Sequence, residues 1–329
     1  MHLLSPAGPQ ARLSVLIFHR VLLQPDPIFE GEVDAQLFNA ICTWVRQWCN
    51  VLPLDEAVAR LRGGSLPARA MAITFDDGYA DNHEVALPIL QRHGLNATFF
   101  VATGFVDGGC MWNDKVIESV RHCANDVLRL PESRVFKSGA FDLRTALARR
   151  QTIEQLLRAM KYLSMAERLA CADEIARCSG SRDLPDLMMS SGQVASLARN
   201  GMRVGGHTVN HPILATLSDA EALEEISAGK RALENITQAD VDLFAYPNGK
   251  PGTDYNVRDV ALVASAGFKA AVTTAWGVST AASDVYQLPR FSPWDRSRFR
   301  YGLRLALNMR NVLVAGANAL PRPAAIQSP

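Results

Sequence analysis

The sequence predicts an α/β protein built from parallel strand–helix units, and three observations carry that expectation. Short β-rich runs recur along the chain, and each stops abruptly at polar or turn residues. The runs are almost continuously apolar rather than alternating, which suits strands covered on both faces. Segments with helical periodicity lie between them, as parallel connections require. A chain of 329 residues, 48% hydrophobic and 20% charged, can bury a full core without disulfide staples.

Taken in order, the predicted strands are 13–18, 70–75, 96–102, 202–204, 242–245, 270–274 and 286–288. Residues 34–66 carry helices between the first two. A helix over 81–93 stops at Gly94, a good residue for a left-handed helix end, and Pro88 inside it implies a kink or a late start. The stretch 105–195 is largely helical and too long for a connection, so it reads as an insertion. Ser218 and Glu221 form a capping box, after which Leu223, Ile226, Leu233 and Ile236 share one face. A helix over 255–266 stops at Gly267. Residues 298–314 mix four arginines with leucines, which predicts a helix packed on the body of the protein, with a membrane surface as the alternative partner. Residues 321–329 read as a loose tail.

Thirty-four basic against thirty-three acidic residues leave a formal charge of +1, so a polyanionic partner such as nucleic acid is not expected. No basic start followed by an apolar run marks a signal peptide, and no run of ~18 apolar residues predicts a spanning helix. Cys42, Cys49, Cys110, Cys123, Cys171 and Cys178 form no C-x-x-C pair and read as reduced thiols of a cytoplasmic protein. Serine-hydrolase, nucleotide-phosphate and dinucleotide motifs are absent from the sequence.

The residues at the predicted strand ends are His19, Asp76, Asp77, His207, Tyr246 and Arg290. That edge of a parallel α/β sheet is where ligands bind. In Asp76-Asp77-Gly78, one carboxylate suits a divalent cation and its neighbour can take a proton from water. Consecutive strand residues face opposite ways, so both serve one site only if the chain turns there, and Gly78 permits a turn. The same tripeptide would equally serve a hairpin or a helix N-cap. His207 and His211, four residues apart, can meet on one ion if the segment makes a helical turn, although Pro212 disfavours helical geometry at His211. Together Asp77, His207 and His211 offer two imidazoles and a carboxylate with positions left for water, as in catalytic zinc sites.

The segments Thr-Phe-Asp-Asp-Gly-Tyr at 74–79 and His-Thr-Val-Asn-His-Pro at 207–212 resemble the first two motifs of the polysaccharide deacetylase family (carbohydrate esterase family 4, NodB-homology domain). The resemblance covers about residues 13–292. It implies a distorted (β/α)₇ barrel over 1–292 with the helical insertion at about 105–195, followed by a C-terminal helix and tail at 293–329. It implies metal-dependent removal of N- or O-acetyl groups from sugars, with Asp76 as general base and Asp77, His207 and His211 holding a divalent metal, zinc foremost.

The later motifs depart from the family pattern. No arginine precedes Tyr246, and Arg290 is the replacement partner for the base. Trp276 stands in for a wall of the acetyl pocket. His19, within Leu-Ile-Phe-His-Arg-Val at 16–21, resembles the N-terminal histidine of circularly permuted members from bacterial exopolysaccharide export, and is the candidate general acid. The tetrahedral oxyanion is expected on the metal and the backbone N–H of Tyr246. Trp112 is a candidate for stacking on a sugar ring, or for packing the insertion. The partner implied is an acetylated sugar or polysaccharide, met in the cytoplasm or at the inner membrane through the C-terminal helix. Two other readings keep the same residues: an amidase for another non-peptide C–N bond, and a glycan-binding protein that has lost turnover.

Overall fold

The computed structural model describes residues 4–136, 139–181 and 184–312. Leu313, Val314 and the predicted tail at 321–329 lie outside the described residues. The strands are β1 (Ser14–Phe18), β2 (Asn50–Val51), β3 (Ala70–Phe75), β4 (Thr98–Val101), β5 (Val127–Leu130), β6 (Gly139–Asp142), β7 (Arg203–Gly206), β8 (Leu243–Ala245) and β9 (Ala270–Val272). The α-helices are α1 (Ala35–Trp48), α2 (Leu54–Arg62), α3 (Leu87–His93), α4 (Trp112–Arg121), α5 (Ala146–Met160), α6 (Met165–Ser179), α7 (Ser191–Arg199), α8 (Asp219–Thr237), α9 (Val257–Ser265) and α10 (Arg298–Asn308).

The chain divides into two compact units. The first comprises residues 1–23, 33–107 and 189–329, and the second 24–32 and 108–188. The first unit holds a curled, wholly parallel sheet in the order β1-β3-β4-β7-β8-β9, with β2 added beside β3. The run at 286–288 was expected as a strand but makes a single parallel bridge, Leu288 to Val272. Pro289 has no N–H to continue a ladder. The extended segment still joins the two edges of the sheet. Leu288 N–H donates to Ala271 C=O and Phe291 N–H to Val15 C=O, both at 2.9 Å.

Side-chain alternation sorts the sheet into two buried faces. Val15 on β1, Ala70 and Ala72 on β3, Ala245 on β8 and Val272 on β9 form an inner core, with Ala57 and Leu61 of α2 packed into the same cluster. Leu16, Phe18, Met71, Ile73 and Phe75 point the other way, into a second core with α1, α3, α8 and α9. Both faces being apolar is what made these strands read as continuous hydrophobic runs.

The helix expected over 81–93 begins as a π-helical turn at Asn82–Ala86, and the α-helix proper starts at Leu87 with Pro88 in its first turn. Proline is tolerated there because its missing N–H would have no intrahelical partner. Gly94 closes α3 in the left-handed region at φ 62°. The capping box of Ser218 and Glu221 starts α8 as read from the sequence.

The second unit is not wholly helical. It packs α4, α5 and α6 around Val116, Val120, Ile153, Leu156 and Ile175, and includes an antiparallel β5–β6 pair. Helix α7 belongs to the first unit.

Candidate active site

The alternation that places Ala70 and Ala72 inside the sheet also turns Thr74 and Asp76 inward. Asp76 N–H donates to Phe18 C=O at 2.9 Å, one step beyond the β1–β3 ladder. Its carboxylate takes two hydrogen bonds from the fully buried Arg290, Nη1 to Oδ1 at 2.7 Å and Nη2 to Oδ2 at 2.6 Å. Arg290 is itself fixed, since Nε donates to Thr273 C=O at 2.9 Å and Nη1 to Thr74 Oγ1 at 3.2 Å. Burial opposes the charge on Asp76, but Arg290 and then His207 outweigh it and hold the carboxyl below its usual range.

Asp77 would face away from Asp76 if the strand continued. Instead it takes φ 76°, and Gly78 follows at φ 95°. The turn therefore starts one residue earlier than the glycine suggests. A Cβ on Gly78 would lie 2.9 Å from Val101 Cγ1, so both the left-handed backbone and the approach of β4 demand glycine there. Asp77 Oδ1 then lies 3.3 Å from His207 Nε2 and 3.4 Å from His211 Nε2.

His207 follows β7, and its Nδ1–H donates to Ala245 C=O at 2.7 Å. That bond fixes the ring's orientation and turns Nε2 toward Asp77. The histidine segment is not a helical turn. Thr208 and His211 take φ of 66° and 52°, and the two rings stand 4.8 Å apart between centroids. Glu225 on α8 holds the loop. Its carboxylate accepts from Val209 N–H at 2.9 Å, Asn210 N–H at 2.8 Å and Asn210 Nδ2 at 2.7 Å.

The electrostatics of this cluster are those of a buried anion between imidazoles. Burial works against the charge of Asp77, but His207, His211 and His19 overcome it and hold the carboxyl far below the usual range. Burial also weighs against a charged His207, yet Asp77, Asp76 and the Ala245 carbonyl raise its affinity for a proton. Burial pushes His211 down to about 4.

These three residues also form the His/Cys/Asp/Glu group with the geometry of a metal site among the described residues, their ligand atoms lying within 4.8 Å of one another. Asp77 Oδ1 is buried and accepts no hydrogen bond among the described residues. Atoms bound at ~2.1 Å on adjacent corners of a tetrahedron stand ~3.4 Å apart, the spacing seen from Asp77 to each histidine. The donor set therefore fits a divalent cation.

His19 continues the inward parity of Val15 on β1, and its side chain is exposed. Its charge acts on Asp76, Asp77 and His211. The backbone around it is tied to the end of β3. Asn82 Nδ2 donates to His19 C=O at 2.9 Å, and Asp81 accepts from Val21 N–H at 3.1 Å and from Arg20 Nε at 2.7 Å.

One expectation changes, and two residues find their places. Tyr246 N–H donates to Val272 C=O at 3.3 Å, so this amide is spent on the sheet rather than free for an oxyanion. The tyrosine side chain is fully buried and stacks on Tyr255 at 3.9 Å. Trp276 stands at the surface. It is exposed, with its ring 5.5 Å from Phe291 and 5.7 Å from Trp294. Trp112 belongs to the second unit, where the guanidinium of Arg168 lies over its ring at 5.4 Å.

Sequence reasoning missed Glu225, Asp81 and Asn82, which touch backbone rather than the cluster itself. For Glu225 the available signal was its place beside the core residue Ile226 on the capped helix that follows the histidines.

A family model described as polysaccharide deacetylase matches residues 63–271. The curated Bacillus subtilis (strain 168) protein YxkH, named for polysaccharide deacetylation, is 19% identical over 285 residues, which span 85% of this chain and 71% of that protein. Among solved structures, the Streptococcus pyogenes deacetylase PplD in complex with acetate aligns with a TM-score of 0.61 at 20% identity, over 91% of this chain and 98% of that one. IcaB from Ammonifex degensii aligns at 0.56 and 18% identity, over 93% and 98%. The two structures share this fold.

Proposed function

Because the chain belongs to the polysaccharide deacetylase family, we propose that it hydrolyses acetyl groups, N-acetyl foremost, from a carbohydrate or polysaccharide intermediate, using a divalent cation held by Asp77, His207 and His211. The observation that carries this reading is the buried Asp77 Oδ1, without a hydrogen bond among the described residues and facing the Nε2 atoms of both histidines. Zinc suits this mixed nitrogen and oxygen set. When bound, such a cation acidifies water and draws electron density from an acyl oxygen.

The chain's own residues supply the rest. Asp76, kept ionised by Arg290, is the base that takes the proton of the attacking water. Arg290 positions that carboxylate and does not itself touch substrate in this reading. His19, at the open mouth of the sheet, returns a proton to the departing amine. Proton transfer of this kind contributes ~10²–10⁴-fold. For the oxyanion, the turn after β8 offers one other amide. Pro247 has no N–H and Gly249 N–H donates to Pro247 C=O at 2.6 Å, while Asn248 N–H meets no acceptor among the described residues.

We place the protein in the cytoplasm, with a peripheral position at the inner membrane as the alternative. All six cysteines carry free thiols, in keeping with a reducing compartment. No described helix is long and apolar enough to cross a membrane.

The test is turnover on a panel of acetylated aminosugars and their oligomers, with and without a chelator. Acetate release that stops with chelation and returns with zinc supports the reading; release indifferent to chelation sinks it. Asp76→Asn should lose at least ~10²-fold in kcat with bound metal unchanged. Equal turnover by this variant would remove Asp76 from the base role. Release from a non-sugar amide alone would move the substrate class.

A further inference from the structure

Helix α10 is apolar on two opposite faces. Tyr301 and Leu305, with Met309 at its end, are buried in the core of the first unit. Phe299, Leu303 and Leu307 recur every fourth residue, so they share one side of the helix. They are 80%, 48% and 51% exposed. Arg300 and Arg304 flank that stripe on one side, whereas Arg298 turns back to the body, where it donates to Gln47 Oε1 at 2.8 Å. Arg304 lies over the ring of Trp294 at 3.9 Å, and Trp294 stands 5.7 Å from Trp276. Both tryptophans are exposed. The aromatic pair leads to the strand ends of the candidate site, since Ala275 C=O, next to Trp276, accepts Arg290 N–H at 2.9 Å.

We propose that this face of α10, with Trp294, docks on an anionic lipid bilayer. Charge decides among the partners that could cover an apolar stripe. Two arginines here are already balanced, Arg296 by Asp34 at 3.4 Å and Arg304 by Asp295, but Arg300 and Arg310 meet no carboxylate among the described residues. A second copy packed face to face would set those arginines against their own kind at low dielectric, which disfavours self-association. An anionic membrane surface offers both halves of the match. Its acyl boundary takes Phe299, Leu303 and Leu307, and its headgroups take guanidinium groups carried on long apolar stems. Trp294 has the amphipathic ring that settles at such an interface. The surface stands independently of the hydrolytic reading. If both hold, the substrate is one presented at a membrane, such as a lipid-carried glycan.

The test is co-sedimentation of the full, zinc-loaded chain with vesicles of phosphatidylcholine alone or with added phosphatidylglycerol. We expect binding only to the anionic vesicles, weakening as salt is raised. The double variant Phe299→Asp, Leu303→Asp should bind at least ~10-fold more weakly, because two apolar anchors are lost and two charges are added against the headgroups. Since both side chains point to solvent, its thermal midpoint and its turnover on a soluble acetylated oligomer should match the parent. Absence of binding to anionic vesicles overturns the proposal, as does equal binding by the variant. Concentration-dependent dimerisation by analytical ultracentrifugation, abolished by the double variant, would overturn it in favour of an interface between copies. Loss of deacetylation with intact vesicle binding would instead refute the hydrolytic reading and leave this surface standing.

Discussion

Arg290 carries the charge balance at the base of the candidate site. It is fully buried and spends both Nη groups on Asp76. Removing one partner of such a pair leaves an uncompensated buried charge, which costs about 3–5 kcal/mol. Arg290→Met should therefore lower the unfolding free energy from urea titration by an amount of that order, even though methionine fills much of the volume. A shift below about 1 kcal/mol would show the pair to be dispensable for folding. The histidines make a second prediction. Cation binding requires both imidazoles to be neutral. His211 meets that condition down to about 4, whereas His207 holds its proton above the ordinary histidine range. One proton must then leave His207 for each cation bound. Zinc affinity should fall by about tenfold for each pH unit lost below the raised pKa of His207, and level off above it. Competition against a chromophoric chelator across that range checks the slope. A flat profile through neutrality would mean that His207 is already neutral.

Among elements, the ligand loop after β7 is the one held in an unfavourable backbone. Thr208 and His211 both adopt positive φ, a region that costs non-glycine residues of order 1–3 kcal/mol and persists only where the surroundings enforce it. Glu225 supplies that enforcement through three hydrogen bonds to Val209 and Asn210. Glu225→Ala should weaken zinc binding by about tenfold or more, while the thermal midpoint of the metal-free chain moves little, because the carboxylate is half-buried at the helix surface. A fall in midpoint with unchanged zinc affinity would make Glu225 a structural residue only. This element also marks where the sequence stopped being readable. Both aspartates and His207 could be found because predicted strands end in front of them, and His211 by its four-residue spacing from His207. The loop that joins the histidines could not, since its shape comes from a carboxylate on α8 and from the Thr103 and Gly104 N–H groups, which donate to Thr208 and Val209 C=O at 3.2 and 2.8 Å, rather than from local propensity. The β5–β6 pair escaped for a related reason. Its second strand is Gly-Ala-Phe-Asp, half exposed and without an apolar alternation to announce it. The insertion was visible by length, but its content was not.

Across the first unit as a whole, α10 and the described residues after it are part of the folded body. Val278 bridges Val312, Arg12 donates through Nη1 to Met309 C=O, and Leu13 pairs with Ser279. The sequence showed α10 as amphipathic, and that one pattern was compatible with a helix packed on the body and with one lying on a surface. The structure divides the apolar residues between both faces, which periodicity alone cannot do when apolar side chains run round most of a helix. Tyr301 is the anchor of the packed face. Its ring lies 5.5 Å from Trp44, and its hydroxyl is buried without a partner among the described residues. Two substitutions should therefore separate. Tyr301→Phe removes an unsatisfied polar atom and keeps the ring, so the denaturant midpoint should hold or rise. Tyr301→Ala opens a cavity beneath α10 and should cost about 3–5 kcal/mol. If α10 is integral, tryptophan fluorescence and far-ultraviolet circular dichroism of Tyr301→Ala will report the same lowered midpoint for the first unit. If α10 were only an appended segment, Tyr301→Ala would release it in an early, separate step and leave the main transition where it was.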